Sequence, residues 1–295
     1  MFSRQSRLIA HEAYPPHEVR GNRVEHALAV SCGEHLRIKL STTLVAAAVL
    51  LATLPVMSVA NGQPYGNRHP YVGLAIQFIP SMPGFITLCS GSALSPTVFM
   101  TAAHCFDPTL PVLVTYKSAP PFSLANDFTV GTFYPHPDWC VGCDPGLPGN
   151  DTRDVAVIVL SAPRDPGAFA TLPSAGLVGT LPTRTEIDLI GYGTQGFARG
   201  GGPPQGLITL TRYFAPSLIQ SNHRHSAEFI KLTANLSDGK GGICFGDSGG
   251  PDILSGTDIE RAVNTYVTNG NCAGVTYSNR IDLPDVLEFI AQYLE

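Results

Sequence analysis

A serine flanked by glycines lies at residues 244–251, CFGDSGGP, and this stretch constrains the chain more than any other. Glycine loses much conformational entropy on folding and fills no space, so such a run is typical of a sharp turn with accessible backbone N–H groups. A serine hydroxyl becomes a good nucleophile only beside a base, and the oxyanion formed on attack needs hydrogen-bond donors. The stretch therefore predicts that Ser248 is a nucleophile and that the amides of Gly246 and Ser248 form an oxyanion hole.

A histidine and a carboxylate occur in suitable contexts elsewhere in the chain. His104 lies in TAAHC, directly after the strand-like run PTVFM, and Asp154 opens the apolar run VAVIVL. The chain order is therefore His104, Asp154, Ser248. With these flanks, that order resembles the chymotrypsin-like serine peptidases, which have the trypsin fold.

The resemblance covers about residues 59–295, which we take as one peptidase domain after an N-terminal extension at 1–58. It implies two six-stranded antiparallel β-barrels with the active site between them, a crossover near 161–182 and a C-terminal α-helix. By themselves, the short strand-like runs between Pro and Gly turns indicate only an all-β protein. The matching pieces are CSGSAL at 89–94, TAAHC at 101–105, DVAVIVL at 154–160, GYG at 191–193, CFGDSGGP at 244–251 and a terminal helix.

The resemblance also implies a mechanism. Ser248 attacks the acyl carbon, His104 accepts its proton and passes it to the leaving amine, and Asp154 orients the imidazole. Asp151 is a rival for the carboxylate, although the apolar strand begins directly after Asp154, as the family motif requires. His136 is another candidate base, in the turn-like context YPHP.

Seven cysteines are present, one of them in the N-terminal extension. The expected disulfides are Cys89–Cys105, Cys244–Cys272 and Cys140–Cys143. The resemblance implies the first two, which anchor the catalytic histidine and tie the serine loop to the wall of the substrate pocket. The third pair is left over, and without a second C-x-x-C motif we expect a structural bridge in place of zinc binding or redox chemistry.

The expected substrate pocket departs from the family pattern. In the family, the residue six before the serine largely sets substrate preference, and here it is Gly242. No carboxylate occupies that position, which disfavours a preference for Arg or Lys. On the pocket wall, the family usually has a Ser–aromatic–Gly stretch. Here either Thr265-Tyr266-Val267 or Tyr266-Val267-Thr268 occupies that place, depending on a one-residue gap. A Val or Thr side chain in place of glycine narrows the pocket, so we predict small or medium apolar residues at P1, the residue before the scissile bond.

The first sixty residues have the pattern of a secretory leader. Residues 40–60 carry no charge, Arg37 and Lys39 precede them, and Pro55 interrupts the apolar block before small residues. This pattern predicts a signal within 40–58 that is cleaved on export to the extracellular space or the periplasm. An uncleaved signal anchor is the alternative, since the uncharged run is long enough to span a bilayer. Membrane attachment is expected only in that case.

Activation is a second departure. In the trypsin branch, cleavage after a basic residue frees an amine that pairs with the aspartate before the serine, here Asp247. The segment VANG at 59–62 resembles that new terminus, but Ser58 precedes it in place of Arg or Lys. We therefore hypothesise that removal of the signal itself exposes Val59. Cleavage after Ala60 is the alternative.

Composition excludes several classes of function. The chain has 18 Lys and Arg against 23 Asp and Glu, a net charge of −5, so nucleic-acid binding is not expected. No metal cluster or nucleotide-binding loop is visible, so we predict no metal and no cofactor. The prediction is a secreted, monomeric serine endopeptidase that acts on polypeptide substrates. The alternatives are a catalytically silent binding module of the same fold and an esterase with the same triad.

Overall fold

The computed structural model describes residues 62–142, 145–147, 150–195, 197–198, 205–206, 208–220, 227–235 and 238–294. At 145–147, 150–151, 197–198 and 205–206 only the backbone is described. The predicted leader at 1–58, Val59 and the predicted bridge to Cys143 lie outside these residues. Within the described part of the chain, no helix is both long and apolar enough to cross a membrane.

Short strands dominate the structure. In chain order they are β1 (Gln63–Pro64), β2 (Val72–Phe78), β3 (Ile86–Ala93), β4 (Val98–Thr101), β5 (Val112–Thr115), β6 (Thr129–Pro135), β7 (Pro145–Leu147), β8 (Asn150–Asp151), β9 (Ala156–Leu160), β10 (Glu186–Gly191), β11 (Phe197–Ala198), β12 (Gln205–Gly206), β13 (Tyr213–Leu218), β14 (Phe229–Ala234), β15 (Pro251–Leu254), β16 (Glu260–Val267) and β17 (Gly274–Arg280). The helices are α1 (Leu124–Asp127), α2 (Leu177–Thr180) and α3 (Pro284–Ala291), with a 3-10 turn at Ala103–Cys105.

The first barrel is closed. Its six antiparallel strands neighbour one another in the order β2-β3-β4-β9-β6-β5, and β5 returns to β2 through the pairs Leu74–Thr115 and Ile76–Leu113. Side chains of β6 alternate between buried and partly or fully exposed positions, as expected for a strand with one face in the barrel. The strand β9, AVIVL, is apolar throughout and almost entirely buried.

The second barrel is built from a sheet of seven strands in the order β1-β13-β10-β15-β16-β17-β14. Its last strand meets the end of β13 where Ile219 bridges Leu232. The predicted all-β class is confirmed, with one closed six-stranded barrel and a second antiparallel sheet that forms half a barrel. The difference is one additional strand, because the two residues of β1 extend the second sheet by pairing with Tyr213 and Phe214.

The predicted C-terminal helix is present and packs on the first barrel. Val286, Phe289 and Ile290 lie at i, i+3 and i+4 spacing on one face of α3, in a buried cluster with side chains of β4 and β9. Pro284 is the first residue of α3. The N–H of a first helical residue has no partner within the helix, so proline, which lacks this N–H, loses no intrahelical hydrogen bond there. The same cluster includes Val263 of β16, so α3 connects the second sheet to the first barrel.

Candidate active site

Two neighbouring strands bring His104 and Asp154 together. β4 ends at Thr101, just before the turn that carries His104, and Asp154 lies just before β9. The two strands pair with Thr101 opposite Ala156, so the residues beyond these ends meet. The Oδ2 of Asp154 lies 2.6 Å from Nδ1 of His104, and its Oδ1 accepts a hydrogen bond from the His104 backbone N–H at 2.8 Å. Both carboxylate oxygens thus position the same histidine.

The environment of this pair suits a general base. The side chain of Asp154 is 4% exposed and that of His104 is 38% exposed. Burial acts to lower the pKa of His104, but the charge of Asp154 and the hydrogen bond to it outweigh burial and raise that pKa above 6.5. Because Nδ1 donates to the carboxylate, the neutral ring presents Nε2 as a proton acceptor.

Two disulfides brace the site. Cys89 of β3 is bonded to Cys105, the residue after the histidine, with an S–S length of 2.06 Å. Cys244, at the start of the serine loop, is bonded to Cys272, with an S–S length of 2.02 Å. These are the two bridges that the family resemblance implies. Each joins a turn of the candidate site to a segment distant in sequence.

Ser248 lies on a loop that is bonded to strands of both barrels. On one side, the backbone N–H of Ser90 in β3 donates to the Ser248 carbonyl at 2.8 Å, and the Ser90 hydroxyl donates to the Gly246 carbonyl at 2.9 Å. On the other side, the N–H of Gly249 donates to the carbonyl of Asn264 in β16 at 2.8 Å. Among the described residues, nothing accepts a hydrogen bond from the amides of Gly246 and Ser248. These two donors therefore remain available to a ligand.

Asp247 is buried beneath this loop. Its Oδ1 accepts from the N–H of Gly193 and its Oδ2 from the N–H of Cys244, each at 2.8 Å. Burial raises the pKa of Asp247 to about 7, against the lowering effect of those two hydrogen bonds. A carboxylate in such a place is stabilised by any cation brought beside it.

A cavity of about 400 Å³ opens beside the serine and joins it to His104 and the end of β16. The predicted pocket residues Tyr266, Val267 and Thr268 lie along this cavity. None of the described residues that line the cavity carries a carboxylate or an amine. They are His104, Ile243, Cys244, Phe245, Ser248, Thr265, Tyr266, Val267, Thr268, Asn269 and Gly270.

Gly242 is the predicted pocket residue that is absent from this lining. It is buried against the neighbouring strands: a Cβ at this position would overlap the Cβ of Ala234 and lie 3.0 Å from Cγ2 of Thr276. Glycine at this position is therefore explained by close packing of the chain. Sequence reasoning missed four residues of the lining, although each lies within two residues of one that it selected: Ile243, Phe245, Asn269 and Gly270.

Asp151 was the rival for the carboxylate and His136 was the other candidate base. The side chain of Asp151 lies outside the described part of the structure. His136 is 3% exposed, its Nδ1 accepts the backbone N–H of Asp138 at 3.2 Å, and its ring lies 4.8 Å from the ring of Phe289. It packs under α3 and is not among the residues that line the cavity.

The sequence is similar to those of known serine proteases. Residues 65–290 match the family model of trypsin. Kallikrein-9 from Homo sapiens is 30% identical over 182 residues, which are 57% of this chain and 66% of that protein. Snake venom serine protease 3 from Protobothrops flavoviridis is 28% identical over 188 residues, 57% of this chain and 63% of that protein. The chain thus covers just under two thirds of the length of these relatives.

Several solved structures have a fold similar to that of this chain. A mutant of human heparin binding protein (CAP37) has a TM-score of 0.59 at 19% identity and covers 79% of this chain and 95% of its own. HL collagenase has a TM-score of 0.59 at 19% identity and covers 80% of this chain and 98% of its own. At such identities the likeness concerns the fold alone. Because the family model matches well over half of its residues, the chain belongs to the trypsin family.

Proposed function

We propose that the protein is a secreted serine endopeptidase that hydrolyses peptide bonds through an acyl-enzyme. One observation carries the proposal: Nδ1 of His104 lies 2.6 Å from the buried carboxylate of Asp154, beside a cavity that His104 shares with Ser248. A histidine oriented by a buried carboxylate and sharing a cavity with a serine on a glycine-rich loop is the arrangement that acyl transfer requires.

The proposed mechanism gives each of these groups one role. The Ser248 hydroxyl attacks the carbonyl carbon while Nε2 of His104 takes its proton, and the imidazolium that forms lies against Asp154. The oxyanion accepts hydrogen bonds from the amides of Gly246 and Ser248, each worth about 3 kcal/mol in the transition state. The leaving amine takes the proton from His104 as the C–N bond breaks. Water then attacks the ester of Ser248 with His104 again as base. The C–O bond to Ser248 breaks as His104 returns the proton to the serine oxygen, which releases the carboxylic acid and restores the free serine.

The cavity supports a preference for small or medium apolar P1 residues. Ile243 and Val267 contribute apolar surface to its lining. No carboxylate is found among the described residues of its lining, so a P1 Arg or Lys lacks a partner for its charge. The two disulfides favour an oxidising compartment, which agrees with secretion.

Asp247 supports the proposed maturation step. A new amine at Val59 would give this buried carboxylate a cationic partner and hold it ionised, which stabilises the serine loop above it. Amino-terminal sequencing of the secreted protein checks this: a first residue at Val59 is expected, and a terminus well upstream contradicts it.

A fluorophosphonate probe tests the proposed function. We expect labelling of the secreted protein at Ser248, no labelling of Ser248→Ala, and full labelling of Ser161→Ala, which changes an exposed serine on the loop after β9. Turnover of peptides against simple esters then separates a peptidase from an esterase. Absence of labelling in the folded wild-type protein would favour a silent binding module.

A further inference from the structure

Arg153, the residue before Asp154, has an unusual backbone conformation. Its φ is +61°, in the left-handed region that a residue with a Cβ adopts only at a cost. The backbone N–H of Val155 donates to the Arg153 carbonyl at 2.7 Å, which closes a three-residue turn with Asp154 at its centre. The direction of the Asp154 side chain therefore depends on the backbone of Arg153. Such a conformation persists only where the surrounding structure holds it.

The Arg153 side chain supplies that support through two carboxylates. Its Nε donates to Oδ2 of Asp285, in the first turn of α3, and its Nη1 donates to Oε2 of Glu228. Glu228 precedes β14, and its carbonyl accepts the backbone N–H of Arg280 in β17 at 2.8 Å. The guanidinium thus joins the turn that carries Asp154 to the terminal helix and to the second sheet. We call Arg153, Glu228 and Asp285 the arginine clamp.

The exposure of the clamp favours a geometric role. The side chains of Arg153 and Glu228 are each 22% exposed, and that of Asp285 is 41% exposed. Ion pairs that remain in contact with solvent contribute little to stability. A guanidinium, however, holds its donors in a planar fork, so two carboxylates on different nitrogens fix its orientation as well as its position.

The clamp remains charged over the pH range in which His104 titrates. Burial acts to raise the pKa of Asp285, but the hydrogen bond from Arg153 and its charge outweigh burial and lower that pKa below 3.8. The ion pair is therefore present above that pH and is lost only as the pH falls through the lowered pKa. His136 also lies beside Asp285, and burial lowers the pKa of this histidine, so its ring is neutral near pH 7.

We propose that Arg153 is a positioning residue that clamps this turn and so aims the carboxylate of Asp154 at His104. The proposal rests on the proposed function and names a further residue on which that site depends. Oδ2 of Asp154 lies 2.6 Å from Nδ1 of His104, and Oδ1 accepts from the His104 backbone N–H. A small rotation of the turn would disturb both contacts.

Arg153→Met tests this on the secreted protein, because methionine keeps a long side chain and removes the guanidinium. We expect kcat to fall about tenfold to a hundredfold with KM within about twofold of the wild type, since a misplaced group slows the chemical step more than binding. The fall of kcat/KM at acidic pH should also move to lower pH, because Asp154 is the charged group that raises the pKa of His104. A smaller fraction of folded protein would lower kcat without moving that fall.

Two further variants test whether the clamp acts as a unit. Arg153→Lys keeps one charge that can reach one carboxylate, so it should recover part of the lost kcat. The double variant Arg153→Met, Asp285→Asn should be no slower than Arg153→Met, because both changes remove the same contact. Additive losses in the double variant would overturn the clamp. If Arg153→Met does not fold, Glu228→Gln with Asp285→Asn removes both partners and should give the same loss of kcat.

Lys231→Met is the matched control, since it makes the same change from a cation to methionine at a partly exposed position of β14. It should keep the wild-type kcat and pH profile. An unchanged kcat and an unmoved fall in Arg153→Met overturn the positioning role while the wild type continues to hydrolyse peptides. A wild type that neither hydrolyses peptides nor reacts with the fluorophosphonate overturns the proposed function, and the positioning role with it.

Discussion

The fold raises the pKa of both His104 and Glu260, for different reasons. The charge of Asp154 raises the pKa of His104 against the effect of burial. Burial raises the pKa of Glu260 to about 8, and this side chain is fully buried, with Oε2 accepting a hydrogen bond from Ser92 of the first barrel. Residue identity alone shows neither effect, because each depends on what the fold places beside the group.

The first prediction concerns Asp154→Asn. In the proposed mechanism the neutral His104 is the base, so kcat/KM should fall as pH drops through the pKa of His104. Because that pKa is raised, this fall should lie above pH 6.5. Asparagine removes the charge that raises the pKa, so this fall should move to lower pH and kcat should drop by about 10⁴. A pH–rate profile of both proteins checks this. An unmoved fall would show that another group titrates.

The second prediction concerns Glu260→Gln. The folded protein keeps a proton on Glu260 that the unfolded chain releases above pH 4.5. The stability from this group is therefore fully present below pH 4.5 and is lost as pH rises to about 8, at about 1.4 kcal/mol per pH unit. Urea unfolding between pH 5 and 8 measures the free energy of unfolding at each pH. This free energy should decline less with rising pH in Glu260→Gln than in the wild type, and titration of Asp247 should account for part of the decline that remains.

The control for that experiment is Glu288→Gln, which changes an exposed glutamate on α3. It should keep the wild-type decline of the free energy of unfolding with pH. An identical decline in Glu260→Gln and the wild type would show that Glu260 is ionised in the folded protein.

At the scale of elements, the serine loop combines backbone strain with close packing. Gly249 has a φ of +79°, and a Cβ there would overlap Thr101 Oγ1 and the Ser90 carbonyl and lie 2.8 Å from the backbone N of Ala102. Gly256, in the turn between β15 and β16, has nearly the same φ, +81°, with nothing within 4 Å. Substituting each of the two glycines therefore separates the stability lost to an unfavourable backbone conformation from the stability lost to steric overlap.

The third prediction compares Gly249→Ala with Gly256→Ala. At Gly256 only the left-handed backbone conformation disfavours alanine, so Gly256→Ala should lower the free energy of unfolding by about 1–2 kcal/mol. At Gly249 the overlap with rigid backbone atoms adds to this, so a loss of about 3 kcal/mol or more is expected. Denaturant unfolding measures both, and activity should fall only in Gly249→Ala. Equal losses would mean that the loop shifts to accept a methyl group.

At the scale of the whole molecule, one buried cluster couples the barrels. Phe289 of α3 packs in the cluster that contains both the first-barrel core and Val263 of β16. Val263 precedes Asn264, whose carbonyl accepts the hydrogen bond from Gly249 of the serine loop. Packing of the terminal helix is thereby linked to the position of the serine loop.

The fourth prediction is that Phe289→Ala destabilises the molecule by about 3–4 kcal/mol, because it leaves a cavity in this shared core. Fluorescence and circular dichroism should report one coincident unfolding transition at lower denaturant. Leu294→Ala, at a side chain that is 38% exposed, should change stability by less than about 1 kcal/mol. Two separate transitions in Phe289→Ala would mean that the barrels unfold independently.

Several features were predictable because their signals are local. The glycines around Ser248, the strand-like runs beside His104 and Asp154, and the apolar spacing of α3 are each contained within a few residues. Other features depend on how distant segments pack. Gly242 is needed against Ala234 and Thr276, Phe245 lines the cavity, and Glu260 meets Ser92, and none of these contacts has a signature in the local pattern.

The chain alone therefore determined the all-β class, the terminal helix and the candidate serine, histidine and aspartate, because turn-forming residues and apolar periodicity act over short distances. Tertiary structure decided that both oxygens of Asp154 bond to His104, which side chains line the cavity, and that Arg153 donates to two carboxylates distant in sequence. The reason is physical: strand register and burial arise from contacts between segments far apart in sequence, and the charge state and exposure of a side chain follow from those contacts.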